Sequence, residues 1–142
     1  MIVLDTNVLS ETMRLRPDGN VLAWLNDLRP GQVFVSAVTQ AEMLLGVALL
    51  SAGRRREKLA SQVAALFADD FANRCLPFDS SAAAYYAQIV SARRKIGRPV
   101  TTEDAQIAAI ACSRNFQLAT RNVTDFTGIE ALKIVNPWAV VT

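Results

Sequence analysis

Met1-Ile2-Val3-Leu4-Asp5-Thr6-Asn7 opens the chain. Ile2, Val3 and Leu4 form an apolar run that reads as a short buried strand, and the turn chemistry of Asp5-Thr6-Asn7 stops it in a loop. A helix then runs from Val8 to the break at Arg16-Pro17-Asp18-Gly19-Asn20, and Val21, Trp24, Leu25 and Leu28 recur at helical spacing up to Pro30-Gly31. Gln32 to Ser36 is the second strand. Ala37 to Ser51 is a long helix, and Leu59, Val63, Leu66, Phe67 and Phe71 stripe the next one. Arg74 to Phe78 is a third strand. Asp79 or Ser80 caps a helix that Gly97 stops, and Thr101 or Thr102 opens another that ends at Asn115. Gln117 to Thr120 is a strand, Asn122 to about Ile129 a loop or short helix, and Lys133 to Val135 the last strand. Strands separated by helical stretches give the α/β class: three layers, with a mainly parallel sheet flanked by helices.

The 142 residues, 51% apolar and 20% charged with 6 Gly and 5 Pro, suit one globular domain over 1–142 and exclude a disordered or collagen-like chain. The apolar run 43–50 is far shorter than the ~20 residues of a membrane helix. The start of the chain lacks a secretory pattern, and Cys75 and Cys112 lack paired spacing, so a cytoplasmic location is expected. Histidine is absent. That excludes His-assisted serine or cysteine hydrolysis, imidazole-ligated zinc and His-pair ribonuclease chemistry, and leaves acid–base and metal work to carboxylates. Net charge is only +2, but Arg fills all the cationic positions except Lys58, Lys95 and Lys133. The cations cluster at Arg54-Arg55-Arg56 with Lys58 and at Arg93-Arg94-Lys95 with Arg98. Taken alone, each cluster reads as a solvated helix end.

In open parallel sheets the reactive crevice lies at the carboxyl ends of the strands. Asp5 follows the first strand, Thr120-Arg121-Asn122 follows the fourth, and Glu42 and Asp104 lie early in helices leaving the same edge. Each acid has a local explanation: Asp5 as a turn residue, Glu42 and Asp104 as the third positions of capping boxes opened by Thr39 and Thr101. Jointly they read differently. Met43-Leu44-Leu45 and Ala105-Gln106-Ile107 place Glu42 and Asp104 at a core boundary, so the three carboxylates are candidates to converge. Hard oxygen donors without imidazole or paired thiolates select Mg²⁺, with Mn²⁺ as substitute, over zinc.

Asp5-Thr6-Asn7, Val38-Thr39-Gln40-Ala41-Glu42, Glu103-Asp104-Ala105-Gln106-Ile107-Ala108-Ala109 and Leu118-Ala119-Thr120-Arg121-Asn122 before Asp125-Phe126, with Asn136-Pro137-Trp138 near the end, together resemble the PIN domain of VapC/FitB-type toxins. The resemblance implies a metal-dependent ribonuclease of a bacterial toxin–antitoxin pair, with Asp5, Glu42 and Asp104 at the family's three most constant acidic positions. The fourth acidic position falls on the amide Asn122, with Asp125 three residues on. Asp5 and Asp104 are then the expected metal ligands, and Glu42 positions a water or acts as general base. Thr6, Asn7, Thr120, Asn122 and Asp125 support them, and Arg121 contacts an RNA phosphate.

The helix 37–51 carries more apolar surface than one stripe requires: Leu44, Leu45, Val47, Leu49 and Leu50. Packing on both sides accounts for this. The resemblance adds a homodimer contact, and a groove between this helix and the next for a cognate antitoxin that carries a DNA-binding domain. Two other classes stay open: a catalytically silent PIN-like module, suggested by Asn122, and a phosphoacceptor domain. The latter wants an acidic pair after the first strand and a late Lys, where this chain has Asp5 and Arg121.

Overall fold

The computed structural model describes residues 1–139; positions 140–142 of the expected 1–142 domain lie outside the described residues. Strands β1 (Ile2–Leu4), β2 (Val33–Ser36), β3 (Cys75–Leu76), β4 (Gln117–Ala119) and β5 (Ile134–Val135) pair in parallel in the order β3-β2-β1-β4-β5. The order reverses at β1: the chain builds outward through β2 and β3, then crosses to β4 on the other side. The two faces of β1 separate the layers. Ile2 and Leu4 pack with α1 (Thr6–Thr12), α2 (Gly19–Asn26), α3 (Ala37–Ala48) and α4 (Arg54–Ala65), whereas Val3 packs with α5 (Ser80–Lys95), α6 (Thr102–Arg114) and the short α7 (Val123–Phe126). This is the expected three-layer α/β/α arrangement. Helix α6 is its most deeply set helix, with Ala105 and every residue from Ile107 to Cys112 buried. Each fully buried Leu or Ile, such as Leu4, Ile107 and Leu118, contributes roughly 2 kcal/mol relative to exposure. No helix among the described residues is long and apolar enough to cross a membrane.

Several boundaries differ from the sequence expectation, for local reasons. Thr6 and Asn7 are helical, because Asp5 is the N-cap of α1 and takes the Thr6 amide. That helix ends at Thr12, and a buried Glu11 accepts both the Arg14 guanidinium and the Asp18 amide across the following turn. Gln32 closes a 3₁₀ turn, Pro30–Gln32, instead of opening β2. The stripe ending at Phe71 leaves α-helical geometry after Ala65 for a π-helical turn, Leu66–Asp70. Helix α3 stops at Ala48, and the third strand contracts to Cys75–Leu76.

Candidate active site

Asp5, Ser36 and Thr120 stand at the carboxyl ends of β1, β2 and β4, at the edge where strand order reverses. The Asp5 carboxylate is buried; Oδ1 accepts the Thr6 amide at 2.8 Å and Oδ2 the Thr120 hydroxyl at 2.7 Å. Thr120 Oγ1 in turn accepts the Asn122 amide at 3.1 Å and Asn7 Nδ2 at 3.4 Å, and Asn7 Oδ1 accepts the Arg121 amide at 3.3 Å. Thr120 thus uses one donor and two acceptor positions to join the ends of β1 and β4 around Asp5.

Glu42 is not a capping residue. Ser36 caps α3 by accepting the Thr39 amide at 3.1 Å, which puts Glu42 beyond the first turn and removes the Thr39–Glu42 box. Instead the Thr6 hydroxyl, 2.9 Å from Glu42 Oε1 and 3.0 Å from buried Thr39 Oγ1, connects α1 to α3. Thr101 does cap α6, accepting the Asp104 amide at 3.2 Å. That bond uses the Asp104 backbone, while its carboxylate stands half-buried in the first turn.

The electrostatics bring these carboxylates into one neighbourhood. Burial raises the Asp5 pKa above the ordinary carboxyl value; the hydrogen bonds from Thr120 and Thr6 oppose it, and the charges of Glu42 and Asp125 add to it. Burial also raises Asp104, reinforced by the charges of Asp5, Asp125 and Glu103 and opposed by the Thr101 side-chain hydroxyl beside the carboxylate. The ion pairs among the described residues, Arg14–Glu11 and Arg114–Asp79, involve none of Asp5, Glu42, Asp104 and Asp125. As placed, the four are charge neighbours and not a finished cage: among the described residues no group of three acidic or cysteine side chains is disposed to hold an ion. The donor set nevertheless suits a hard divalent cation, which relieves this kind of mutual repulsion. Asn122 and Asp125 are exposed beside the edge, and Arg121 is exposed with its guanidinium over the Trp138 ring, 5.0 Å from the centroid.

Ser36 and Thr39, which the sequence reading did not assign to the site, join its hydrogen bonds through Thr6 and the start of α3. The available signal was Ser36 at the junction of a strand with a helix. A cleft of about 330 Å³ between α1, α3 and α4 is floored by Met13, Met43, Leu59 and Val63 and reaches Thr6 and Glu42. On the outer side of α3, Leu44, Leu45 and Leu49 are exposed, while Val47 is buried.

Comparison with known proteins gives the family and the fold. The family model described as PIN domain matches residues 2–129. Toxin FitB of Neisseria gonorrhoeae is 41% identical over 97% of this chain and 99% of its own length. VapC ribonuclease Y4jK of Sinorhizobium fredii is 38% identical over 97% of this chain and 98% of its own. A solved structure of FitAB bound to an IR36 DNA fragment superimposes with a TM-score of 0.92 at 41% identity, covering 100% of this chain and 99% of the other.

Proposed function

The chain belongs to the PIN-domain family, and from that premise we propose that it is the toxin of a toxin–antitoxin pair, an Mg²⁺-dependent endoribonuclease acting as one domain in the cytoplasm. What supports the reading is that burial raises the pKa values of Asp5 and Asp104, with the charges of Glu42 and Asp125 adding to the rise at Asp5 and those of Asp5, Asp125 and Glu103 to the rise at Asp104. Its relatives' names, toxin and ribonuclease, point the same way. Asp5 and Asp104 would hold the ion, with Glu42 beside them and Mn²⁺ as a substitute. Bound there, it supplies charge neutralisation at the scissile phosphate and acidifies the attacking water.

The chain's own residues do the positioning. Thr120 fixes the Asp5 rotamer, Thr6 and Thr39 aim Glu42 to accept a proton from water, and Asn7 ties Arg121 to the same edge, where its guanidinium meets an RNA phosphate. Asn122 and Asp125 complete the polar rim. In-line hydrolysis leaves a 5′-phosphate and a 3′-hydroxyl. The exposed leucines of α3 suit a homodimer, and the cleft that reaches Glu42 suits a segment of a cognate antitoxin carrying a DNA-binding domain. Incubation of the purified protein with RNA tests the reading: cleavage is expected with Mg²⁺ and not with chelator, with 5′-phosphorylated products. RNA that survives intact at saturating Mg²⁺ would instead support a catalytically silent module.

A further inference from the structure

Two members of one basic cluster, Arg93 and Arg98, reach the segment 124–127 that carries Asp125. Arg93 is only 4% exposed, yet its Nε donates to the Arg98 carbonyl at 2.7 Å and its Nη1 to the Thr127 carbonyl at 2.5 Å. A buried cation is costly to desolvate. What it obtains here is position: one guanidinium ties the turn after α5 to the segment after α7. Arg98 Nη2 reaches the Thr124 carbonyl at 3.5 Å, and the next residue, Asp125, is the one whose charge acts on both Asp5 and Asp104. Arg94, Lys95 and Arg98 are exposed, and the ion pairs among the described residues include none of them. Arg94 and Lys95 also suit the negative end of the α5 dipole, but Arg98 lies past that helix and gains nothing from it. The other cluster, Arg54-Arg55-Arg56, opens α4 beyond the far end of α3, whereas Glu42 sits in the first half of α3.

We propose that Arg94, Lys95 and Arg98 form a phosphate-binding rim that grips the backbone of single-stranded RNA beside the cleavage site, with Arg93 as the positioning residue that holds the rim there. The inference rests on the ribonuclease reading and deepens it. The rim contacts phosphates outside the reacting bond, so it acts on binding and leaves the chemical step alone.

The test compares the triple variant R94Q/K95Q/R98Q with a charge-matched control, R54Q/R55Q/R56Q, and with the parent, in steady-state cleavage of a single-stranded RNA over a range of KCl. The rim triple is expected to raise KM about tenfold with kcat within about twofold, and to lower the slope of log affinity against log salt by about 2, at roughly 0.7 for each phosphate that is no longer neutralised. The control keeps the parent's KM and slope, and both triples keep its circular-dichroism melt. Arg93→Lys, which retains the charge but not the fork, is expected to raise KM at unchanged kcat; a lower melting temperature with unmoved KM would overturn the positioning role. Unchanged KM and slope in the rim triple, or equal effects of the two triples, would overturn the rim while the ribonuclease reading stands. A parent that cuts no RNA would end that reading instead, and fluorescence anisotropy with the same RNA would still decide the rim by whether the first triple alone loses binding.

Discussion

Thr120 Oγ1 donates a 2.7 Å hydrogen bond to Asp5 Oδ2, joining the ends of β4 and β1 inside the buried edge of the sheet. The same hydroxyl accepts from the Asn122 amide and from Asn7, so a Thr120→Val variant removes all three bonds at once. Divalent-ion affinity or activity is expected to fall roughly 10–100-fold, with about 1–3 kcal/mol of stability lost to the orphaned groups. Thr120→Ser should restore both. Calorimetric ion titration and denaturant unfolding of the two variants make the check, and a fully active valine variant would refute the role of the hydroxyl.

Asp5→Asn keeps the shape and the helix-capping oxygen but removes the charge. RNA cleavage should drop by more than the roughly 10–100-fold that a supporting group costs, while circular dichroism stays native. In chelator the relieved burial of charge should favour the variant by roughly 3 °C per kcal/mol in a domain of this size, set against the loss of the acceptor for the Thr120 hydroxyl. A variant that lost activity only because it unfolded would melt lower.

The raised pKa values of Asp5 and Asp104 fix the sign of a pH effect. Between the ordinary carboxyl value, about 3.9 for Asp, and the raised native value, the folded chain binds more protons than the unfolded chain. These two groups therefore lower stability as pH rises through that window, and the penalty is complete above it. In thermal melts from acid to neutral pH without metal, the advantage of Asp5→Asn over the parent should grow with pH, and Mg²⁺ should shrink it at neutral pH. An advantage that grew toward acid would contradict the shifts.

The framework of the site was legible because local chemistry specified it. An apolar triplet followed at once by Asp5 marks a buried strand end, and Thr101 before Asp104 marks a helix start, as observed. What was not legible depends on partners distant in sequence. The Thr39–Glu42 spacing fits a capping box, but Ser36 caps α3 and frees Glu42 for Thr6 on another helix. Arg93 reads as part of a solvated charge run, and only the packing of α5 against the Thr127 segment shows it to be buried. The π-turn after Ala65 follows an unbroken helical pattern and has no local signal in the sequence.

Asn122 stands exposed at the position where the family resemblance implies a fourth acid, its backbone held by Thr120. Asn122→Asp adds a carboxylate beside the Asp5–Thr120 pair. Metal-free stability should fall slightly from added repulsion, and Mg²⁺ affinity should rise. Isothermal titration reads the affinity, and a fall in affinity would place Asn122 outside the ion's reach.

Leu45 on α3 is 58% exposed, and Leu49, the residue that caps its end, is 76% exposed. Surface substitutions away from packed features usually cost no more than about 0.5 kcal/mol, so Leu45→Glu with Leu49→Glu should leave the melting temperature nearly unchanged. The variant should run as a smaller species in analytical ultracentrifugation. An unchanged sedimentation profile would remove this face from the interface.

Anomalous diffraction from crystals soaked in Mn²⁺ reads whether Asp5 and Asp104 share one divalent ion at this sheet edge. The expected result is a peak bonded to oxygens of both residues, at distances near the roughly 2.1 Å of a small octahedral cation, with Glu42 facing it. Saturating Mn²⁺ without a peak there, or with a peak that touches neither carboxylate, would contradict it.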